Sequence, residues 1–330
     1  MRDFAYARAA TLEQASAAVA GDPDAMLVAG ATDVVYLLEN EVFAPERLVD
    51  ISRLPGLTGV EADGGRVRIG ALTRMTDAAA HPLVRENFPA VTQSLVAAAS
   101  GQLRNMATVG GNLLQRTRCD YFRMPGYRCN KRRPGSGCDA IEGLNGILAL
   151  LGTSEHCIAN YPGDFAIALA AFGAQVRTSG PGGDRTIPLV DLHRLPGDTP
   201  HVETVLERGE VVVGIDLPLS AAARRSTYLK LRERTSFAFA AASVAAGLEL
   251  DGGRIVDARI ALGGVPTKPW RAPDAEAALI GGPATRDAFE AAAEIALRGA
   301  VPREHNAWRL PLAKRGVARA LEIARDLPWA

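Results

Sequence analysis

Cysteine, histidine and aromatic residues are scarce in this sequence, and no charge of one sign predominates. Lys and Arg together number 37, Asp and Glu also number 37, and the formal net charge is zero. Such a balance argues against nucleic acid or an anionic membrane as the partner. No run approaches the ~20 consecutive apolar residues of a membrane span, and the first residues contain no apolar secretory stretch. The sequence therefore predicts no nucleic-acid partner, no membrane span and, by its own signals, a cytoplasmic protein.

Several common motifs are also missing. Neither G-x-G-x-x-G nor the Walker A pattern occurs, which argues against a Rossmann dinucleotide site and a P-loop. No Ser/His/Asp set or paired-carboxylate spacing is readable, so we assign no catalytic acid, base or nucleophile.

The 330 residues are 48% hydrophobic, which is enough for two or three domains. Residues 82–100 show a helical pattern of apolar positions and predict one long helix. Residues 243–250 and 254–262 flank a glycine turn and predict a β-hairpin. A domain boundary is expected at residues 219–225, between two strand patterns.

Two glycine-containing loops are candidate binding features. Residues 29–33 (A-G-A-T-D) connect a predicted strand at 26–28 to a predicted helix at 34–40, and residues 108–112 (T-V-G-G-N) form the other loop. Glycines let the backbone approach a phosphate, and consecutive N–H groups ahead of a helix favour an anion. Ordinary turns use the same short motifs, so either loop alone leaves both interpretations open.

The four cysteines are Cys119, Cys129, Cys138 and Cys157. They lie within 39 residues, and the 291 positions outside that segment contain no cysteine. Their spacing, C-x9-C-x8-C-x18-C, lacks the paired C-x2–4-C knuckles of zinc ribbons. A [4Fe–4S] cluster also takes four thiolates. The pattern favours such a cluster, while a zinc site, disulfides and free thiols stay open.

The first part of this cysteine-containing stretch is strongly basic. Residues 116–133 contain seven Lys or Arg residues against one acid, Asp120. A positive segment would offset the negative charge of a thiolate-bound cluster and would lower the pKa of the cysteines.

Together these features resemble the flavoprotein (medium) subunits of the xanthine dehydrogenase and carbon monoxide dehydrogenase family. The family's first FAD loop, A-G-G-T-D/N, is matched by residues 29–33, with Ala31 in place of its second glycine. Its second FAD loop, R-N-x-A-T-V/I-G-G-N, is matched by residues 104–112 without departure. We call these the first loop and the second loop.

The resemblance implies one non-covalent FAD. It assigns the following residues to FAD binding: Leu27, Val28, Ala29, Gly30, Ala31, Thr32, Asp33, Arg104, Asn105, Thr108, Gly110, Gly111, Asn112, Asp164 and Lys230. Asp164 matches the family's aspartate before a helix, and Lys230 ends the family's aromatic-rich strand.

In most of the family the second loop leads almost directly to that aspartate, but here residues 113–160 intervene. This insert resembles that of the FAD subunits of bacterial aldehyde oxidoreductases. The resemblance implies a [4Fe–4S] cluster held by all four cysteines. The implied fold is α+β, with α/β subdomains of the PCMH and carbon monoxide dehydrogenase flavoprotein type. It consists of an FAD-binding region at 1–222 in two subdomains and a C-terminal α/β domain at 223–330.

The resemblance also implies a role in a molybdenum hydroxylase, with an aldehyde as the expected substrate. The expected partners are a small subunit with two [2Fe–2S] clusters, a large subunit with a molybdenum cofactor and an external electron acceptor. Electrons would pass from the [2Fe–2S] clusters to FAD and then to the acceptor. Alternatives are a flavin subunit of an aryl-CoA reductase and a zinc-binding structural module without flavin. Export with a partner subunit would place the complex in the periplasm.

Overall fold

A computed structural model of the chain, which describes residues 1–328, contains three β-sheets. The first sheet is parallel and has the strand order β1-β3-β2, so that β2 lies at an edge. Its elements along the chain are β1 (Ala5–Arg8), α1 (Leu12–Ala20), β2 (Ala25–Val28), α2 (Val34–Glu39) and β3 (Arg47–Asp50). The first loop therefore follows an edge strand and precedes α2, and the predicted strand and helix on either side of it are confirmed.

The second sheet is antiparallel and has the order β4-β5-β8-β6-β7. Its strands are β4 (Val60–Asp63), β5 (Arg66–Gly70), β6 (Gln175–Gly180), β7 (Gly183–Pro188) and β8 (Val211–Pro218). The helices between β5 and β8 are α3 (Met75–Ala80), α4 (Pro82–Asn87), α5 (Pro89–Ala97), α6 (Gly101–Met106), α7 (Val109–Leu113), α8 (Asp120–Arg123), α9 (Phe165–Ala171) and α10 (Leu189–Leu192). Every residue of α9 is buried, which makes this helix the centre of the largest core.

The third sheet is antiparallel with the order β12-β11-β10-β9 and is covered by helices. Its elements are α11 (Ala221–Arg224), β9 (Ser226–Leu231), β10 (Ala242–Asp251), β11 (Arg254–Gly263), β12 (Trp270–Arg271), α12 (Pro273–Leu279), α13 (Arg286–Ala296) and α14 (Arg309–Asp326). The predicted hairpin is confirmed as β10 and β11. Among the described residues, no helix is long and apolar enough to cross a membrane.

The single long helix predicted over residues 82–100 is wrong. The structure has two helices, α4 and α5, which meet at Phe88. Pro89 disfavours the helical conformation for the residue before it, and Phe88 adopts φ −141° and ψ 65°. The proline then occupies the first turn of α5, where its missing N–H costs no hydrogen bond.

Residues 116–160, which we call the cysteine segment, form a largely irregular excursion between α7 and α9. The excursion is closed at its base, since Thr117 Oγ1 donates a hydrogen bond to Asn160 O at 2.8 Å. Its apolar side packs with Leu37 and Phe43 of the first subdomain. Its other end reaches the third sheet, where Leu150 N donates to Val265 O at 2.7 Å.

Candidate functional site

The first and second loops lie against each other. A Cβ atom added at Gly30 would lie 2.2 Å from Met106 O, which immediately precedes Ala107 and Thr108. The glycine is therefore required by the close approach of the two loops. Ala31 has φ 59°, in the left-handed region that glycine adopts readily and alanine does not.

The first loop presents backbone N–H groups that form no hydrogen bond with residues 1–328. Among the described residues, none accepts a backbone hydrogen bond from the N–H groups of residues 30–33. Thr32 is exposed at the tip of the turn. Consecutive unpartnered N–H groups, one of them following a residue in the left-handed conformation, are an arrangement that favours an anion.

The second loop differs, because its own fold uses its N–H groups. Val109 N and Gly110 N donate to Thr73 O and Ala71 O at 2.9 and 2.8 Å. Gly111 N donates to Thr108 Oγ1 at 3.2 Å, so Thr108 caps α7. A Cβ at Gly110 would lie 2.8 Å from the Cβ of Ala71, so this glycine is needed for packing inside the protein. The expectation that both loops offer free N–H groups is wrong for this one.

One side chain of the second loop retains an open acceptor. Asn112 Nδ2 lies 3.4 Å from the sulfur of Met75, whereas the buried Oδ1 has no hydrogen-bond partner among the residues that the structure describes. A buried carbonyl oxygen without a donor is costly, and a donor from a bound ligand would satisfy it.

Arg104 and Asn105 are engaged with the protein around α6. Arg104 Nη1 donates to Ala98 O at 2.7 Å, which ties down the turn at residue 99. Asn105 Oδ1 accepts from Thr76 Oγ1 at 2.7 Å. Both side chains thereby brace the helix that leads into the second loop.

Asp164 and Lys230, predicted from separate motifs, meet in a buried ion pair. Lys230 Nζ lies 2.7 Å from Asp164 Oδ2, and Tyr228 OH donates to Asp164 Oδ1 at 2.7 Å. Burial raises the pKa of Asp164, and Lys230 opposes that rise. Lys230 also donates to Ala97 O at 3.1 Å, so the group ties α9 and β9 to the end of α5.

Asp33 has partners that the sequence does not reveal. Its carboxylate accepts from Arg116 N at 2.8 Å and from Arg123 Nη2 at 2.7 Å, and it lies 3.2 Å from Arg118 Nη1. All three donors belong to the cysteine segment. Burial lowers the pKa of Arg118 to about 10, which leaves the guanidinium charged at neutral pH.

The four cysteines converge on one apolar cluster in the cysteine segment. Cys119, Cys129 and Cys157 are buried and Cys138 is partly buried, and all four are free thiols. Burial raises the pKa of Cys119 to about 12 and that of Cys157 to about 11, and it also raises the pKa of Cys138. The expectation that nearby basic residues lower these pKa values is therefore wrong for these three thiols, because desolvation dominates.

Most of the basic side chains near the cysteines form ion pairs or hydrogen bonds with groups other than the thiols. Lys131 Nζ lies 2.6 Å from Glu203 Oε1, and Arg116 pairs with the same carboxylate. Arg128 pairs with Asp139, and Arg132 donates to backbone carbonyls such as Tyr121 O at 2.7 Å. These side chains hold the segment in shape. Among them, Lys131 lowers the pKa of Cys157, and it does so against the larger effect of burial.

Within residues 1–328, no three His, Cys, Asp or Glu side chains come close enough to hold a single metal ion. A tetrahedral zinc site places its sulfur ligands about 3.8 Å apart, as follows from Zn–S bonds of about 2.3 Å. The described cysteines thus do not form a preformed zinc site.

A small cavity of about 40 Å³ lies beside the cysteine segment and is bordered by Cys157, Lys131 and His193. His193 Nε2 lies 2.9 Å from Leu113 O, and its Nδ1 is buried without a partner. Burial lowers the pKa of His193 to about 4, so the imidazole is neutral near pH 7.

Comparison with known proteins places these features in context. Residues 2–220 match the FAD binding domain in molybdopterin dehydrogenase, and residues 227–324 match the CO dehydrogenase flavoprotein C-terminal domain. The chain is 44% identical over 327 residues to the aldehyde oxidoreductase FAD-binding subunit PaoB of Escherichia coli (strain K12), covering 98% of this chain and 99% of that protein. It is 27% identical over 312 residues to the carbon monoxide dehydrogenase medium chain of Hydrogenophaga pseudoflava, covering 93% and 90%.

Two solved structures have the same fold over almost the whole chain. Carbon monoxide dehydrogenase from Hydrogenophaga pseudoflava, lacking the Mo-pyranopterin moiety, superposes with a TM-score of 0.77 at 27% identity and 98% coverage of both chains. Quinoline 2-oxidoreductase from Pseudomonas putida 86 superposes with a TM-score of 0.76 at 26% identity, again with 98% coverage of both.

Proposed function

Because the chain belongs to the family of FAD-binding subunits of molybdopterin dehydrogenases, we propose that it carries electrons from a partner's iron–sulfur centres through FAD to an external acceptor. As a flavin subunit of a molybdenum hydroxylase it is part of an oxidoreductase. The 44% identity to an aldehyde oxidoreductase subunit favours an aldehyde as the substrate of the complex. The partners we propose are a small subunit with two [2Fe–2S] clusters and a large subunit with the molybdenum cofactor.

The observation that carries the FAD assignment is the open hydrogen-bonding capacity at the two adjoining loops. Within the described part of the chain, the N–H groups of residues 30–33 lack partners, and Asn112 Oδ1 is a buried acceptor without a donor. A dinucleotide supplies both needs, with diphosphate oxygens for the amides and hydroxyl or amino donors for the carbonyl. We propose that the first loop holds the diphosphate.

FAD, when bound, supplies the redox chemistry, and the residues of this chain bind and orient it. Thr108 shapes the second loop through its cap on α7. Asp164, Tyr228 and Lys230 join the FAD-binding region to β9, and we propose that they fix the relative position of the domains at 1–222 and 223–330. Arg104 and Asn105 hold α6 in place, and α6 leads into the second loop.

We further propose that Cys119, Cys129, Cys138 and Cys157 hold one [4Fe–4S] cluster. Four free thiols in one apolar cluster are the donor set that such a cluster requires. Each thiolate of a cubane binds a different iron, so its sulfurs lie further apart than the ligands of one ion. Among the described residues no single-ion site is preformed, and a cubane does not require one.

An exposed position in the first loop allows a direct test of FAD binding. Thr32→Glu places a carboxylate beside the proposed diphosphate site, and Thr32→Gln has nearly the same shape without the charge. We expect at least about a tenfold loss of FAD affinity for the Glu variant alone, because like charges repel in a shared site. Equal affinity of the two variants, measured by titrating FAD into the flavin-free chain, would mean that the first loop does not hold the diphosphate.

The cluster is tested by the visible spectrum together with iron, zinc and acid-labile sulfide analysis of anaerobically purified protein. We expect flavin bands, broad brown absorption and four iron and four sulfide per chain. Cys138→Ser, at the most accessible of the four positions, should lose most of the iron and sulfide. Stoichiometric zinc without labile sulfide would overturn the cluster assignment and support the zinc alternative.

A further inference from the structure

Asp33 ends the first loop, and its carboxylate is turned away from that loop. It forms no hydrogen bond with the N-terminus of α2, although Asp33 is the residue that precedes this helix. It binds instead to Arg116 N, Arg123 Nη2 and Arg118 Nη1 of the cysteine segment, at 2.8, 2.7 and 3.2 Å.

Both the position and the charge of this carboxylate matter for a neighbouring anion. An aspartate ahead of a helix ordinarily accepts from the helix's first N–H groups and so competes with any other anion there. An unneutralised carboxylate beside a diphosphate also repels it. Two guanidinium groups bound to Asp33 prevent both the competition for these N–H groups and the repulsion of the diphosphate. Together the three side chains leave a net positive charge behind the loop.

The positions of the two arginines are set by the cysteine segment and by their other contacts. Arg123 Nε donates to Thr117 O at 2.7 Å, and Thr117 Oγ1 accepts from Cys119 N at 3.2 Å. The Arg118 guanidinium lies 5.0 Å from the ring centroid of Phe239, in the loop between β9 and β10. Cys119 thus lies between the two arginines in the sequence, and both Cys119 and Arg123 donate hydrogen bonds to Thr117.

We propose that Arg118 and Arg123 are positioning residues for the diphosphate of FAD. By holding Asp33 away from the first loop and neutralising it, they make the affinity for FAD depend on the folded cysteine segment. This inference rests on the proposed binding of the diphosphate at the first loop.

The test is a double-mutant cycle on FAD affinity in the full chain, measured by titrating FAD into flavin-free protein and following flavin fluorescence. Arg118→Gln should weaken FAD binding by about tenfold or more, and Arg118→Lys should restore most of the loss. Asp33→Asn removes the carboxylate that the arginines neutralise, and its own FAD affinity is the reference for the second half of the cycle. In the Asp33→Asn background, Arg118→Gln should then have little further effect, because no carboxylate remains to be neutralised.

Arg128→Gln is the matched control, since Arg128 forms an exposed ion pair with Asp139 in the same segment and makes no contact with Asp33. Iron content, measured in parallel, reports whether the segment is folded. The proposal is overturned if Arg118→Gln binds FAD normally, or if its loss is as large in the Asp33→Asn background. If instead Thr32→Glu binds FAD normally, the proposed diphosphate site itself has failed.

Discussion

Ala31 occupies a backbone conformation that costs an alanine roughly 1–2 kcal/mol relative to glycine. Ala31→Gly should relieve this strain but also adds freedom to the unfolded chain, which opposes the gain by about 0.4–1 kcal/mol. Ala29→Gly adds the same freedom without relieving a positive φ. We expect Ala31→Gly to exceed Ala29→Gly in free energy of unfolding by about 1 kcal/mol, measured by chemical denaturation. Equal stabilities would show that Ala31 is not strained.

Because of His193, we expect part of the free energy of unfolding to be lost in acid. Its pKa is about 4 in the folded chain, below the ordinary value of 6.5. The unfolded chain therefore binds more protons between these pH values, and the stabilisation present above pH 6.5 is lost as the pH falls towards 4. The difference corresponds to about 3 kcal/mol.

Replacing the His193 imidazole tests whether this group causes the acid sensitivity. His193→Gln keeps a donor for Leu113 O but does not titrate, so the fall in unfolding free energy between pH 6.5 and 4 should shrink. His201→Gln, at an exposed histidine, should leave the fall unchanged. An unchanged pH profile in His193→Gln would show that the buried imidazole does not cause the acid sensitivity.

At the scale of the element, α7 is five residues long and depends on its cap. Thr108→Ala should cost about 1 kcal/mol, because Gly111 N loses its acceptor, and it should also lower FAD content by loosening the second loop. Thr285 caps α13 in the C-terminal part in the same way. Thr285→Ala should cost about as much but leave FAD content unchanged. If both variants lose FAD equally, the loss reflects global stability alone.

The sequence predicts some elements of the site better than others. The strand and the helix on either side of the first loop are predicted correctly because their signals are local, and separate motifs single out Asp164 and Lys230, which the structure brings into contact. The pairing of Asp33 with Arg123 is not readable, because it joins residues 90 positions apart. The pKa values of the cysteines are predicted in the wrong direction, since a count of neighbouring charges contains no information about burial.

At the scale of the whole molecule, we expect this chain to have no contact with the organic substrate. No catalytic acid, base or nucleophile is assigned to it, and its open groups suit a dinucleotide. In the complex with its proposed partners, a flavin-deficient Thr32→Glu chain should still allow substrate to reduce the molybdenum and [2Fe–2S] centres at close to the normal single-turnover rate. Steady-state turnover with the physiological acceptor should collapse, because no FAD is present to pass electrons to that acceptor.

Rapid mixing separates the two steps. Thr32→Gln provides the control complex with its flavin in place. A substrate that no longer reduces molybdenum in the flavin-deficient complex would give this chain a direct part in substrate chemistry. Full turnover with the physiological acceptor would show that electrons leave by another route.

The hydrogen bond between Thr117 and Asn160 has a consequence for the history of the chain. It holds the two ends of the cysteine segment side by side, so the segment leaves and rejoins the surrounding fold at neighbouring points, as an inserted cassette does. Gain or loss of this cassette would still affect the rest of the chain, because the cassette supplies the guanidinium groups that bind Asp33. In a chain without the cassette, a neutral asparagine suits position 33 better, so the identity of this single residue is expected to follow the presence of a segment that begins more than eighty residues later.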